Sequence, residues 1–239
     1  WGLRESGLDV VILDKQSFPR DKICGGWITP NVLTELEVDP AEYVRQRVLQ
    51  PITGFRVGCI GGSALETSYG EAVSYGIRRC EFDDYLLRRS GARLLLGTAL
   101  TSLQRSGDGW IANDQIRARV LIGAGGHFCP VVRLVGGKEP NEAAVVAQEI
   151  EFQMDAQQRA GCRVRGDMPE LYFCPDMKGY GWCFRKGDLL NVGLGRADPR
   201  RLPAHVAGFL EFLKSTGRIS FDVPPLHGHA YLLDGTSTR

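Results

Sequence analysis

The chain has 239 residues, 43% apolar and 24% charged, and its 29 Lys and Arg nearly balance 28 Asp and Glu for a formal net charge of +1. Such a composition supports a globular fold with a real core and excludes a disordered tract. Balanced charge supplies no basic face for nucleic acid, and no apolar run approaches the roughly 18 residues of a membrane-spanning helix. The seven cysteines are odd in number and contain no C-x-x-C pair, which points to reduced thiols in a cytosolic protein, not to a disulfide scaffold or a zinc site.

In chain order, Val10, Val11, Ile12 and Leu13 form a short apolar run fitting a strand buried on both faces of a parallel sheet. Asp14 closes it, followed by Lys15, and both are candidate cofactor-binding residues. An acid at the carboxyl end of such a strand is where a dinucleotide-binding fold holds ribose hydroxyls, because a carboxylate accepts two hydrogen bonds from a diol; an exposed turn Asp is the plain alternative. The glycines that precede such an acid by about 20 residues would fall upstream of Trp1, so the chain is expected to be a piece of a longer one, with Gly7 closing the tail of a first helix.

Thr29 and Pro30 start a short helix running to Leu36, and Asp39-Pro40-Ala41-Glu42 opens another. Residues 52–60 and 64–69 around Gly61-Gly62-Ser63 read as an antiparallel hairpin. A helix is expected over Phe82–Arg89, with Arg79 just ahead of it, where a guanidinium would offer paired donors to a pyrophosphate; an ordinary surface Arg is the alternative. Leu94–Arg105, Trp110–Asn113 and Gln115–Arg119 are expected to form a β-meander. Val120–Gly123 reads as a second short buried strand running into Gly123-Ala124-Gly125-Gly126, where small residues admit either a bound dinucleotide or simply a tight turn.

Strand patterns dominate from Ala143 to Gly195. Tyr180, Trp182 and Phe184 alternate along one strand, and Leu190, Val192 and Leu194 along the next, across the Lys186-Gly187-Asp188 turn. Three alternating aromatics make an apolar wall, which is either a sheet core or the side of a ligand pocket. Val206, Phe209, Leu210 and Leu213 then give the stripe of an amphipathic helix ended by Gly217. His227-Gly228-His229 has no third ligand spaced with it and is expected to be a turn, and His127 a loop or core residue. Neither G-x-S-x-G nor a P-loop occurs, which removes the nucleophile-elbow hydrolase and NTPase readings.

These elements predict an α/β (α+β overall) chain. A Rossmann-like nucleotide domain (1–50 and 79–140) is interleaved with an antiparallel β-sheet substrate domain (51–78 and 141–220), with 221–239 returning to the first and both ends of the fold missing.

FPRDKICGG at residues 18–26, R-x-x-FD at Arg79–Asp83, GAGG at residues 123–126 and YGWCFRKGD at residues 180–188 followed by NVGLGR resemble the FAD-dependent geranylgeranyl reductase family, within the flavoprotein superfamily that includes p-hydroxybenzoate hydroxylase. The resemblance runs over nearly the whole chain, and its aromatic block is the specific part. It implies an FAD-dependent oxidoreductase whose flavin, reduced by a nicotinamide cofactor (NAD(P)H) or another reductant, delivers hydride to a prenyl double bond. It also implies that Asp14 holds ribose, that Arg79 lies near the pyrophosphate and Cys24-Gly25-Gly26 near the isoalloxazine ring, and that Gly123, Ala124 and Gly125 give backbone contact.

By the same resemblance Tyr180, Trp182 and Phe184 line the cavity of a long isoprenoid chain. Cys24, whose ordinary thiol pKa of about 8.5 keeps it protonated at neutral pH, is the candidate proton donor or else an inert cysteine. Gly125 stands where many superfamily members carry Asp, and Arg185 where many reductases have Pro. The implied partner is an apolar lipid substrate, with peripheral membrane contact as a corollary of that substrate type. A monooxygenase or halogenase of the same fold, and a non-catalytic binding remnant, remain open.

Overall fold

The structure is a computed structural model that describes residues 1–126, 129–136, 144–198 and 200–232. In chain order its elements are β1 (Val11–Asp14), β2 (Trp27–Ile28), α1 (Pro30–Glu35), α2 (Pro40–Tyr43), β3 (Leu49–Ile52), β4 (Gly54–Cys59), β5 (Ala64–Ser68), β6 (Ser74–Ile77), α3 (Arg79–Arg89), β7 (Arg93–Leu96), β8 (Leu103–Ser106), β9 (Gly109–Ala112) and β10 (Ile116–Ala118). After these come α4 (Pro130–Leu134), β11 (Ala144–Gln153), α5 (Ala156–Ala160), β12 (Glu170–Phe173), β13 (Gly179–Lys186), β14 (Leu189–Arg196), α6 (Leu202–Ser215) and β15 (His227–Leu232). Packing sorts them into two units: Trp1–Arg20 with the described part of Asp83–Ala143, and Asp21–Phe82 with the described part of Ala144–Leu233.

In the first unit β1 lies parallel to β7, with Val11 opposite Arg93 and Asp14 opposite Leu96. β8, β9 and β10 form an antiparallel meander. Two expectations change here. Residues 94–96 belong to the parallel pair, so the meander begins only at Leu103. Residues 120–123 form no strand: Val120 is 75% exposed and Ile122 67%. The parallel sheet among the described residues contains only β1 and β7, so this apolar run has no ladder to join and stays in water. For the same reason Val11–Leu13 are half-buried and not enclosed.

The second unit holds a three-stranded sheet, β2-β6-β3, and a seven-stranded sheet in the order β15-β11-β14-β13-β12-β4-β5, antiparallel throughout except for the β12–β4 pair. The expected boundaries shift with it. Residues 21–50 pack here and not with the first unit, because β2 and β3 both pair with β6 and Tyr43 meets the Phe82 ring edge-on at 5.8 Å. His227-Gly228-His229 is not a turn either; it opens β15, whose residues pair along β11.

Helix α1 begins at its expected proline, and α2 is capped by Asp39, whose Oδ1 accepts from the Ala41 backbone N–H at 2.8 Å. Helix α3 starts three residues earlier than the pattern suggested, so Arg79 is its first residue.

Register decides which face of the large sheet each residue serves. Trp182 lies opposite Gly193, Phe184 opposite Asn191 and Tyr180 opposite Gly195, whereas Leu190, Val192 and Leu194 lie opposite Arg185, Cys183 and Gly181. The aromatic row and the aliphatic row therefore point to opposite faces. The aliphatic face is closed by α6, whose Val206, Phe209 and Leu213 join Leu190, Val192, Leu194, Tyr172 and Cys183 in the core. Contact is tight enough that a Cβ at Gly181 would stand 2.6 Å from the Phe209 ring.

Candidate functional site

The opposite face carries the aromatic wall. Phe173, Tyr180 and Trp182 follow one another with ring centroids 6.3 and 5.8 Å apart, and Phe184 meets Trp27 edge-on at 5.8 Å. Trp27 in turn lies 5.1 Å from Phe55. The wall is dry at one end, where Trp182 and Phe184 are buried, and open at the other, where Tyr180, Phe173, Val57 and Leu65 are exposed. Register puts those exposed residues on the aromatic face, with Phe173 opposite Tyr180 and Val57 opposite Leu171 and Leu65.

Against the dry end sits Cys24-Gly25-Gly26, and its backbone polar groups are taken up by this face and by β6. Asn191 Nδ2 donates to the Cys24 carbonyl at 3.2 Å, while Asn191 Oδ1 accepts from the Trp182 indole N–H at 2.8 Å. Lys186 Nζ donates to the carbonyls of Gly25 (2.9 Å) and Ile77 (2.8 Å), and the Ile77 N–H donates to the Gly26 carbonyl at 2.7 Å. The Cys24 backbone N–H also acts on the Glu149 carboxyl, favouring its charged form. Gly26 has φ +65, and a Cβ there would fall 2.2 Å from the Ile77 carbonyl, so the close approach needs glycine. The turn is thus fixed by side chains rooted in β11, β13 and β14.

Lys186 is 1% exposed and pairs with Glu151. A buried ammonium is tolerated because one carboxylate and two carbonyls meet its donors. Glu149 is 6% exposed and lies on the same face, opposite Gly193. Its carboxyl is pushed up to about 7, chiefly by burial; the nearby Lys186 ammonium and the Cys24 N–H work against that rise, and Glu151 adds to it.

A cavity of about 390 Å³ opens beside the turn, lined by Asp21, Lys22, Ile23, Cys24, Arg78, Arg79, Cys80, Glu149, Ile150, Glu151 and His227. Arg79 Nη1 donates to the Cys24 sulfur at 3.6 Å, and the Gly26 N–H donates to it at 3.4 Å. Burial pushes the Cys80 thiol up. The volume is in the range of small-molecule sites, and its wall mixes Lys22, Arg78 and Arg79 with Asp21, Glu149 and Glu151, Arg78 pairing with Glu81 and Glu151.

Of the residues singled out in the sequence, Cys24, Gly25, Arg79, Trp182 and Phe184 come together in the second unit, with Tyr180 toward the open end of the wall. Asp14, Lys15, Gly123, Ala124 and Gly125 belong to the first. Asp14 ends β1 as expected, and its Oδ1 accepts from the Gln16 backbone N–H at 2.8 Å. A Cβ at Gly125 would stand 3.2 Å from Cys129, and one at Gly123 3.2 Å from Val131, so these glycines serve the approach to α4. His127 lies outside the described residues.

The sequence reading missed Glu149, Glu151, Lys186 and Asn191. Their signal was two acids at alternate positions of an otherwise apolar strand pattern, AVVAQEIEFQ, which places both on one face of a sheet.

No family model matches the chain. It is 28% identical over 244 residues to a menaquinone reductase of Mycobacterium tuberculosis, covering 87% of this chain and 53% of that protein. It is 25% identical over 227 residues to digeranylgeranylglycerophospholipid reductase 2 of Methanosphaera stadtmanae, covering 87% and 56%. The chain therefore spans about half the length of these curated relatives.

Among solved structures, a geranylgeranyl bacteriochlorophyll reductase-like protein of Thermoplasma acidophilum superposes with a TM-score of 0.76 at 19% identity, covering 96% of this chain and 61% of that one. A halogenase, PltM, in complex with FAD gives 0.71 at 15% identity, covering 96% and 56%. The resemblance read from the residues holds: the curated relatives are named as reductases, one of them of digeranylgeranylglycerophospholipid, and the fold is the one that these reductase-like and halogenase structures share.

Proposed function

We propose that the chain belongs to an FAD-dependent reductase that saturates carbon–carbon double bonds of an apolar, isoprenoid-type substrate. The observation that carries this reading is the continuity of the aromatic wall with the pinned Cys24-Gly25-Gly26 turn: a strip of rings runs from solvent at Tyr180 to a dry end at Trp182 and Phe184, beside a cavity that holds a buried acid. A long apolar chain gains by leaving water along such a strip, at about 25 cal/mol per Å² buried. Its end would then be held at the turn.

Arg79 as the first residue of α3, with Lys22 on the same cavity wall, offers donors that fit a phosphate-bearing cofactor. Arg79, Cys24 and Gly25 are the residues of this unit that would hold it, while the family resemblance assigns further contacts to Asp14, Lys15, Gly123, Ala124 and Gly125. The flavin, once reduced by a nicotinamide cofactor or another donor, supplies hydride. The protein's own part is to exclude water with Trp182 and Phe184, orient the tail along Tyr180, and fix the turn through Asn191 and Lys186.

Membrane contact belongs to the same proposal as a corollary of a lipid substrate; among the described residues no helix is long and apolar enough to cross a bilayer. The halogenase neighbours keep oxygen activation as the competing reading. Mass spectrometry of a prenylated lipid incubated with the chemically reduced, full-length flavoprotein, with and without oxygen, separates them. Two added hydrogens per double bond regardless of oxygen support the reductase, and oxygen incorporated only in air overturns it in favour of a monooxygenase or halogenase.

A further inference from the structure

Saturating a double bond needs a proton for the carbon that does not receive hydride, and resting on the reductase reading, we infer that Glu149 is the group that holds and delivers it. Geometry singles it out. Glu149 projects from β11 onto the aromatic face, its stem beside Trp182: a Cβ at Gly193 would meet Glu149 Cβ at 2.6 Å and Trp182 Cζ2 at 2.5 Å. Its carboxyl reaches the Cys24 N–H and lines the cavity. It therefore joins the place where an apolar tail would end to the turn where the cofactor would lie.

Charged and titratable groups surround it. Glu151 lies on its own strand and pairs with Lys186 of β13 and with Arg78, and Cys80 lines the same cavity. Tyr180, also on β13, is near enough that the partial burial of its ring and the Glu149 charge push its hydroxyl up. His227 stands opposite it in the β11–β15 register, and Asp21, Lys22, Arg78 and Arg79 share the cavity wall. Burial outweighs the cations here, so the carboxyl keeps its proton up to about pH 7, which suits a general acid at neutral pH.

Cys24 is the less suitable donor, because its sulfur accepts from Gly26 and Arg79 and so helps to hold the turn. In the step itself the π bond breaks and two C–H bonds form, one with hydride from the reduced flavin and one with the Glu149 proton. Glu149 is left as the carboxylate and regains a proton from water through the cavity; the flavin loses two electrons.

Infrared spectroscopy of the full-length oxidised flavoprotein across pH, paired with the pH profile of double-bond reduction in wild type, Glu149→Gln and Glu149→Asp, tests this. We expect a protonated carboxyl band that titrates near pH 7 in wild type and is missing in Glu149→Gln. In the same variant reduction falls by roughly 100-fold or more, as loss of a general acid does, and its alkaline decline disappears, while Glu149→Asp recovers part of the rate. A band that survives in Glu149→Gln, or an active Glu149→Gln with an unchanged pH profile, overturns the role of Glu149 and leaves the reductase reading standing. A wild type that binds flavin but reduces no double bond overturns the reductase reading, and this role with it.

Discussion

The two faces of the seven-stranded sheet are built from alternate residues of the same strands and end in opposite states. One is aliphatic and closed by α6, with Leu190, Val192, Leu194 and Leu213 each 0% exposed. The other is aromatic and charged, is closed only at one end by a glycine turn held through side-chain hydrogen bonds, and keeps a cavity beside it. The first face follows the ordinary rule that apolar area is removed from water. The second gives up part of that gain to bury Lys186, Glu149 and Asn191, each with specific partners, and the polar placement makes it the working face.

Breaking the closed face should have the largest effect on stability. Phe209→Ala empties the ring that fills the space over Gly181, and a loss of about 3–5 kcal/mol in chemical denaturation is expected. Ligand affinity in the fraction that remains folded should hardly move. A large loss of affinity at unchanged stability would mean that the two faces are not independent.

On the working face, Lys186→Met should cost about 3 kcal/mol, because Glu151 loses its buried partner and the Gly25 and Ile77 carbonyls lose their donor. Restoring stability with the double change of Lys186→Met and Glu151→Gln would show that the uncompensated charge, and not lost packing, carries the penalty.

The next effect is a pH dependence. Between about pH 4.5 and 7 the folded protein holds a proton on Glu149 that the unfolded chain has released, so stability should fall as pH rises through that window. At about 1.4 kcal/mol per pKa unit the decline is on the order of 3 kcal/mol. Denaturation midpoints of wild type and Glu149→Gln measured across the window check it: the variant's curve should be flatter, and parallel curves would place the proton elsewhere.

Smallest is Trp182→Phe, which keeps a ring in the wall but removes the indole donor from Asn191. A cost of about 1 kcal/mol is expected. Changed contact between Asn191 and Cys24, read from the amide resonances of residues 24–26, should accompany it.

Much of the architecture was legible because it rests on short-range pattern. Period-two alternation located β13 and β14, proline and aspartate marked the starts of α1 and α2, and the Val206-Phe209-Leu213 stripe marked α6. The same reasoning failed at 120–123, where an apolar run does not become a strand without a neighbour to pair with, and at 227–229, where a histidine pair read as a turn opens a strand along β11. Neither partner is written in the local residues.

By itself, then, the sequence determined most of the segments that extend or coil, 120–123 and 227–229 excepted, and which rows of residues are apolar. It also determined that Tyr180, Trp182 and Phe184 share a face, since side-chain direction along a strand has a fixed period. Only the tertiary structure decided that this face is opposite to the one α6 covers. It decided too that residues 21–50 pack beside the large sheet, and that Glu149, Lys186 and Asn191 converge on the Cys24-Gly25-Gly26 turn from strands more than a hundred residues away in sequence. Register and long-range pairing set those relations, and both depend on how separate strands meet, not on any one strand's composition.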